Sequence, residues 1–133
     1  MNDDAPMQAA VEAPDYVYRA RVVRIIDGDT VDVDLDLGFG VWLKKQRLRL
    51  YGINTPEIRG EERPEGLKAK GFVEEAIGGF EQEVLVQSFK DGKGKYGRWL
   101  ADVYYRGRDQ PGAPMVSLNR ALVGHGLAKV VAY

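Results

Sequence analysis

The sequence predicts a mainly β domain with helices (α+β): a five-stranded barrel with one helix after strand 3 and a short C-terminal helix. Three observations predict it. The run VDVDLDL (31–37) alternates apolar and acidic residues with period 2, the pattern of a strand with one buried face. The run RPEGLKAKGFVEEAIGG (63–79) carries apolar residues at 69, 72, 73, 76 and 77, the stripe of a helix packed along one side. The order of three strands, helix, two strands, helix fills 133 residues without an internal repeat. That length suits one domain with a core and is too short for two ordinary ones.

The elements follow in chain order. Residues 1–15 are polar and rich in Ala and Pro, and are expected to form a disordered N-terminal arm ahead of a domain over 16–133. YVYRARVVRII (16–26) is β-branched and aromatic, a strand. DGDT (27–30) is a turn, and in the next strand Val31, Val33, Leu35 and Leu37 are expected to face the core with Asp32, Asp34 and Asp36 in water. GFG (38–40) breaks the pattern, and VWLKKQRLRLYGI (41–53) returns as a third strand, completing a meander. Pro64 suits the first turn of the helix and Gly78-Gly79 its stop. EQEVLVQSF and RWLADVYY read as two more strands, joined by the glycine-rich KDGKGKYG. Ser117 is placed to cap a helix through Val123, and LAKVVAY (127–133) reads as a closing strand. This order matches the oligonucleotide/oligosaccharide-binding (OB) barrel. The fold by itself suggests a binder of nucleic acid or sugar and leaves the activity open.

Composition narrows the function classes. The apolar share of 44% and charged share of 29% are those of a soluble globular protein. No stretch approaches a membrane span, and residues 1–16 lack the basic start and apolar run of a secretory signal. The expectation is a cytoplasmic monomer, with export left open. Zero cysteines remove disulfides, thiol catalysis and Cys-based zinc sites. With His125 as the one histidine, histidine-rich metal centres and Ser-His-Asp triads cannot be assembled. Charge is uneven: residues 1–36 hold nine Asp/Glu against three arginines (19, 21, 24), whereas 37–133 hold 16 Lys/Arg against 11 Asp/Glu. A nucleic-acid partner would therefore need a local basic cleft rather than bulk charge.

Three segments carry candidate chemistry. DGDT sets Asp27 and Asp29 in a turn at a strand end, where carboxylates and carbonyls can converge on a hard cation, calcium above all. An ordinary hairpin turn explains the same tetrapeptide, since Asp-Gly is a strong hairpin signal. RLRLYGINTPE (47–57) puts Arg47 and Arg49 on one strand face, and the guanidinium fork grips phosphate oxygens in pairs. Glu57 follows the stiff Thr55-Pro56 pair, which suits a general base acting on water. A solvated basic face with an acidic lead-in to a helix accounts for it equally. KGKYGRWLA (93–101) adds Lys95, Tyr96 and Arg98 in a glycine-rich loop, fit to contact a phosphate and stack on a base, or to serve as a soluble hairpin tip.

Taken together, the IDGDT, RLRLYGINTPE and KYGRWLA stretches, followed by VSLNRALVGHGLAKV, resemble the staphylococcal nuclease (thermonuclease) family over about residues 18–133. The resemblance implies a calcium-dependent nuclease that hydrolyses phosphodiester bonds of DNA and RNA, preferring single strands. It implies Asp29 as a calcium ligand with Asp27 close behind, and the Thr55 backbone carbonyl as a further ligand. Glu57 matches the residue that deprotonates the attacking water, and Arg49 and Arg98 match the pair that stabilises the phosphate. Lys95 and Tyr96 match a nucleotide-phosphate contact, with Arg47 and Tyr133 as further nucleic-acid contacts, Tyr133 one residue out of register. Asn54 stands where the family most often has a calcium-ligating aspartate. An amide keeps the oxygen but loses the charge on which calcium affinity depends. The alternative is a weak or inactive single-strand-binding OB module with a degraded metal site.

Overall fold

A computed structural model of the chain describes residues 16–79, 82–93, 98–107, 112 and 114–131. The expected arm over 1–15, and Lys95, Tyr96 and Tyr133, lie outside the described residues. Five strands carry the fold: β1 (Val17–Asp27), β2 (Thr30–Asp36), β3 (Trp42–Leu50), β5 (Glu83–Lys93) and β6 (Trp99–Tyr105). They hydrogen-bond in the order β3-β2-β1-β5-β6, and a β3–β6 pairing closes the barrel. That seam is parallel, with Leu48, Arg49 and Leu50 opposite Trp99, Leu100 and Ala101. The other pairings are antiparallel, as a meander requires. Short strands complete the chain: β4 (Ile53–Asn54) pairs with β8 (Lys129–Val130), and β7 (Val116–Ser117) pairs with β6.

The core fills as the alternation requires. Val31, Val33, Leu35, Leu48, Leu50, Val84, Val86, Ala101 and Val103 point inward and are buried. Helix α1 (Arg63–Ile77) follows β4 and lays Ala69, Val73 and Ile77 against them, and helix α2 (Leu118–Gly124) adds Leu118 and Leu122. Each such aliphatic side chain contributes about 1.5–3 kcal/mol when fully buried. Pro64 sits in the first turn of α1, and Ser117 caps α2 by accepting the Arg120 N–H at 3.2 Å.

Four expectations are corrected in detail. Leu37 does not face the core: β2 ends at Asp36, and Leu37 is 40% exposed in the hairpin turn. The third strand does not run to residue 53, because Gly52 adopts φ +79 and turns the chain before β4. Only Lys129–Val130 of the closing LAKVVAY segment is strand among its described residues. The acidic face of β2 is not simply solvated: Arg47 forks onto Asp32 at 2.8 and 3.1 Å, and Lys44 lies 3.5 Å from Asp34. Among the described residues, no helix is long and apolar enough to cross a membrane.

Candidate active site

Asp29 lies where three segments meet. Asp27 pairs with Thr30, so Gly28 and Asp29 form the turn between β1 and β2. A Cβ at position 28 would lie 2.8 Å from the Ala69 Cβ and 3.0 Å from the Thr55 hydroxyl oxygen. Glycine thus lets the turn press between α1 and the NTPE segment, and that pressure buries both Asp29 and Thr55. A buried carboxylate is costly unless its oxygens are bonded. Here Oδ1 accepts the Thr30 hydroxyl at 3.2 Å, and Oδ2 accepts the Thr55 N–H at 3.0 Å. Arg49 Nη2 stands 3.4 Å from the same Oδ2, and the Leu50 N–H donates to the Asp29 carbonyl at 2.9 Å.

The two carboxyls of the turn are driven apart. Burial, then the hydrogen bond to and charge of Asp29, raise Asp27 to about 6. Burial also works to raise Asp29, but the hydrogen bonds from Asp27 and the Thr55 N–H, with the Arg49 charge, outweigh it and hold Asp29 below its ordinary value. Burial and a like neighbour make Asp27 hold its proton to higher pH, while donated hydrogen bonds and a cation keep Asp29 ionised. The result is one fixed anion beside one fixed cation.

Arg49 sits opposite Thr30 on β3. Its Nη1 donates to the Leu50 carbonyl at 2.9 Å, and its Nη2 donates to Asn54 Oδ1 at 3.1 Å. Asn54 therefore spends its amide oxygen on Arg49 while standing at the edge of the site. Arg98 directly precedes β6 and is half-buried; the parallel seam sets the start of that strand beside β3, with Trp99 opposite Leu48 and Leu100 opposite Arg49. Glu57 is exposed, and its main chain is gripped from two sides. Its N–H donates to Glu62 Oε1 at 3.1 Å, and its carbonyl lies so close to Gly66 of α1 that any Cβ there would collide with it.

The fold thus gathers Asp27, Asp29, Arg49, Asn54 and Thr55, and it holds Glu57 on the continuation of the same segment. Arg47 is one rung away and engaged with Asp32. Four supporting residues escaped the sequence reading: Gly28, Thr30, Glu62 and Gly66. A signal for Gly66 existed, since a glycine inside a helical pattern marks a close packing contact. Nothing in the spacing pointed to Glu62.

Among the described residues, no three His, Cys, Asp or Glu side chains cluster as a ready cation site. The oxygens brought near one another are nevertheless the Asp27 and Asp29 carboxyls and the Asn54 amide oxygen, the last accepting from Arg49. That set suits a hard cation, with one negative charge fewer than a triple-carboxylate site.

Residues 47–133 match the family model for staphylococcal nuclease homologues. The chain is 31% identical over 136 residues to the thermonuclease of Staphylococcus hyicus, covering 100% of this chain and 71% of that protein. It is 32% identical over 110 residues to the thermonuclease of Staphylococcus intermedius, covering 78% of this chain and 58% of that one. Protein ParB of Escherichia coli is 37% identical over 115 residues, covering 83% of this chain and 55% of the relative. The chain thus spans a little over half the length of the latter two relatives.

Proposed function

The chain belongs to the staphylococcal nuclease homologue family, and from that premise we propose that it is a calcium-dependent nuclease acting on single-stranded DNA or RNA. The observation that carries the reading is Asp29, buried as an anion and flanked by Arg49 and the Thr55 N–H, next to an exposed glutamate on the same short segment. A buried ion pair offered to solvent on one edge is poor economy for stability alone. It is well suited to binding a phosphate and a cation side by side.

In this reading Asp29, Asp27, Asn54 and the Thr55 carbonyl hold calcium. Bound there, the ion neutralises phosphate charge and supplies a Lewis acid. Glu57 accepts a proton from water as the water oxygen bonds to phosphorus. Arg49 and Arg98 bind the phosphate oxygens and stabilise the charge that grows on them. The bond from phosphorus to the 5′-oxygen breaks and that oxygen takes up a proton from solvent, leaving a 3′-phosphate and a 5′-hydroxyl. Lys95, Tyr96 and Tyr133 contact the neighbouring nucleotide, with Arg47 available where Asp32 releases it.

A second reading, a single-strand-binding module without turnover, is favoured by one observation. Asn54 supplies no charge, and its oxygen already accepts from Arg49. Incubation of a single-stranded oligonucleotide with calcium, with EDTA, and with the Glu57→Ser variant separates the two. Cutting in calcium alone, by the native protein alone, supports the nuclease; equal results in all three sink it. Tight binding with no cutting at millimolar calcium selects the module.

A further inference from the structure

The outer faces of β1, β2 and β3 stack their charged residues in rungs. The rung at the site is Asp27, Thr30 and Arg49; the next is Arg24, Asp32 and Arg47. Beyond it Arg21 pairs across to Asp34, and then Arg19 to Asp36 and Trp42. A column of three acids on β2 thus runs between cationic columns on both sides. The two outer columns differ. On β3, Arg47 and Lys44 are drawn onto Asp32 and Asp34. On β1, neither Arg21 nor Arg24 is in an ion pair among the described residues.

These two arginines line a cleft of about 510 Å³, together with Lys44 and the carboxylates of Asp34 and Glu74. Three cations face two acids, so the cleft is net positive. Trp42 holds the cationic heads in place: the Arg21 guanidinium stands 4.5 Å from the ring centroid and the Lys44 ammonium 5.4 Å. Such contacts stabilise a cation without neutralising it. Arg24 and Arg21 lie opposite Asp32 and Asp34, two and four residues along β2 from the Thr30 that faces Asp27, so at about 3.3 Å per residue they stand roughly 7 and 13 Å from it. The arginines are therefore stepped along the strand, leading away from the site on a continuous face.

We infer that the Arg21–Arg24–Lys44 cleft is a second nucleic-acid contact, which binds backbone phosphates of a single strand whose scissile phosphate lies at Arg49. This rests on the nuclease reading for its direction, but its binding is separable from catalysis. The face contacts phosphates through charge and carries no sequence information. Its chemistry extends the site from one phosphate to a run of several.

The test is fluorescence anisotropy of a labelled twelve-residue oligothymidylate in EDTA, where no cutting intervenes, across a range of salt. Arg21→Gln/Arg24→Gln should bind about tenfold more weakly, with the salt slope reduced by about 1.4, since each lost single-strand phosphate contact removes about 0.7. Lys44→Gln should show a smaller loss in the same direction. Lys68→Gln/Lys70→Gln, which removes the same charge from α1, should leave binding as it is. Melting temperatures close to native exclude misfolding of the variants. Native affinity and native salt slope in the β1 double variant would overturn the inference. The nuclease reading fails separately, by absence of calcium-dependent cutting while the binding difference persists.

Discussion

Asp29 and Glu57 are held by opposite means. Asp29 is buried, and its side chain is fixed by the Thr30 hydroxyl, the Thr55 N–H and Arg49. Glu57 is exposed, and the structure grips its main chain through Glu62 and Gly66. The buried half needs a whole shell of partners, because charge in a low dielectric is costly unless bonded. The exposed half needs only aim, because water already solvates its carboxylate. One half therefore couples function to stability, and the other separates them.

That contrast is broken most sharply by Glu57→Ser. It should lower the cleavage rate by about 10²–10⁴-fold, the usual contribution of a general base, and leave the melting temperature as it is. A thermal shift of several degrees alongside the loss would mean that Glu57 also belongs to the structural half. Next comes Asp29→Ala, expected to abolish activity and to cost about 1–3 kcal/mol of stability, because the Thr55 N–H loses its buried acceptor. Chemical denaturation would measure it, and an unchanged midpoint would refute the shell argument.

Gly66→Ala tests the aim itself. A Cβ at 66 pushes on the Glu57 carbonyl, so about 1–3 kcal/mol of destabilisation is expected from overpacking. The rate constant should fall while calcium affinity by calorimetry stays close to native. A loss of calcium binding instead would place the damage in the buried half. Asn54→Asp comes next in size and should tighten calcium by about tenfold through the added ligand charge. If titration shows no change, Asn54 acts by orienting Arg49 and is no ligand.

The smallest effect concerns pH. Asp27 has its carboxyl raised from 3.8 to about 6, so the folded state binds this proton more tightly than the unfolded chain. The stability it contributes is full below 3.8 and is lost as pH rises through about 6. Asp29, held low, contributes in the opposite sense: its stability is present above the ordinary carboxylate value and lost as pH falls. In EDTA, Asp27→Asn should therefore gain stability relative to native as pH rises to neutrality. A constant difference across that range would remove Asp27 from the pair.

Much of the barrel was legible in the chain because its cause is local and periodic. Alternation marks β2, the helical stripe marks α1, and Ser117 marks the start of α2. What was hidden depends on contacts between distant segments. Leu37 looks like a core residue by parity, yet the strand ends one residue earlier. The break between β3 and β4 rests on the positive φ of Gly52. The site was legible as a set of residue types, while its wiring was not. That Asn54 accepts from Arg49, and that Glu62 accepts the Glu57 N–H, depends on how the NTPE turn folds back. Neither bond has a periodic signature.

In the proposed reaction Glu57 acts on the water, while the buried half of the site holds calcium and the arginines hold the phosphate. The direct measurement pairs the cleavage rate of a single-stranded oligonucleotide with calcium binding by calorimetry, for native protein and Glu57→Ser across a calcium titration. The native rate should rise with calcium and saturate, and the variant should bind calcium almost as well yet cut at background. A variant that cuts at the native rate, or a native rate indifferent to calcium, would contradict this reading.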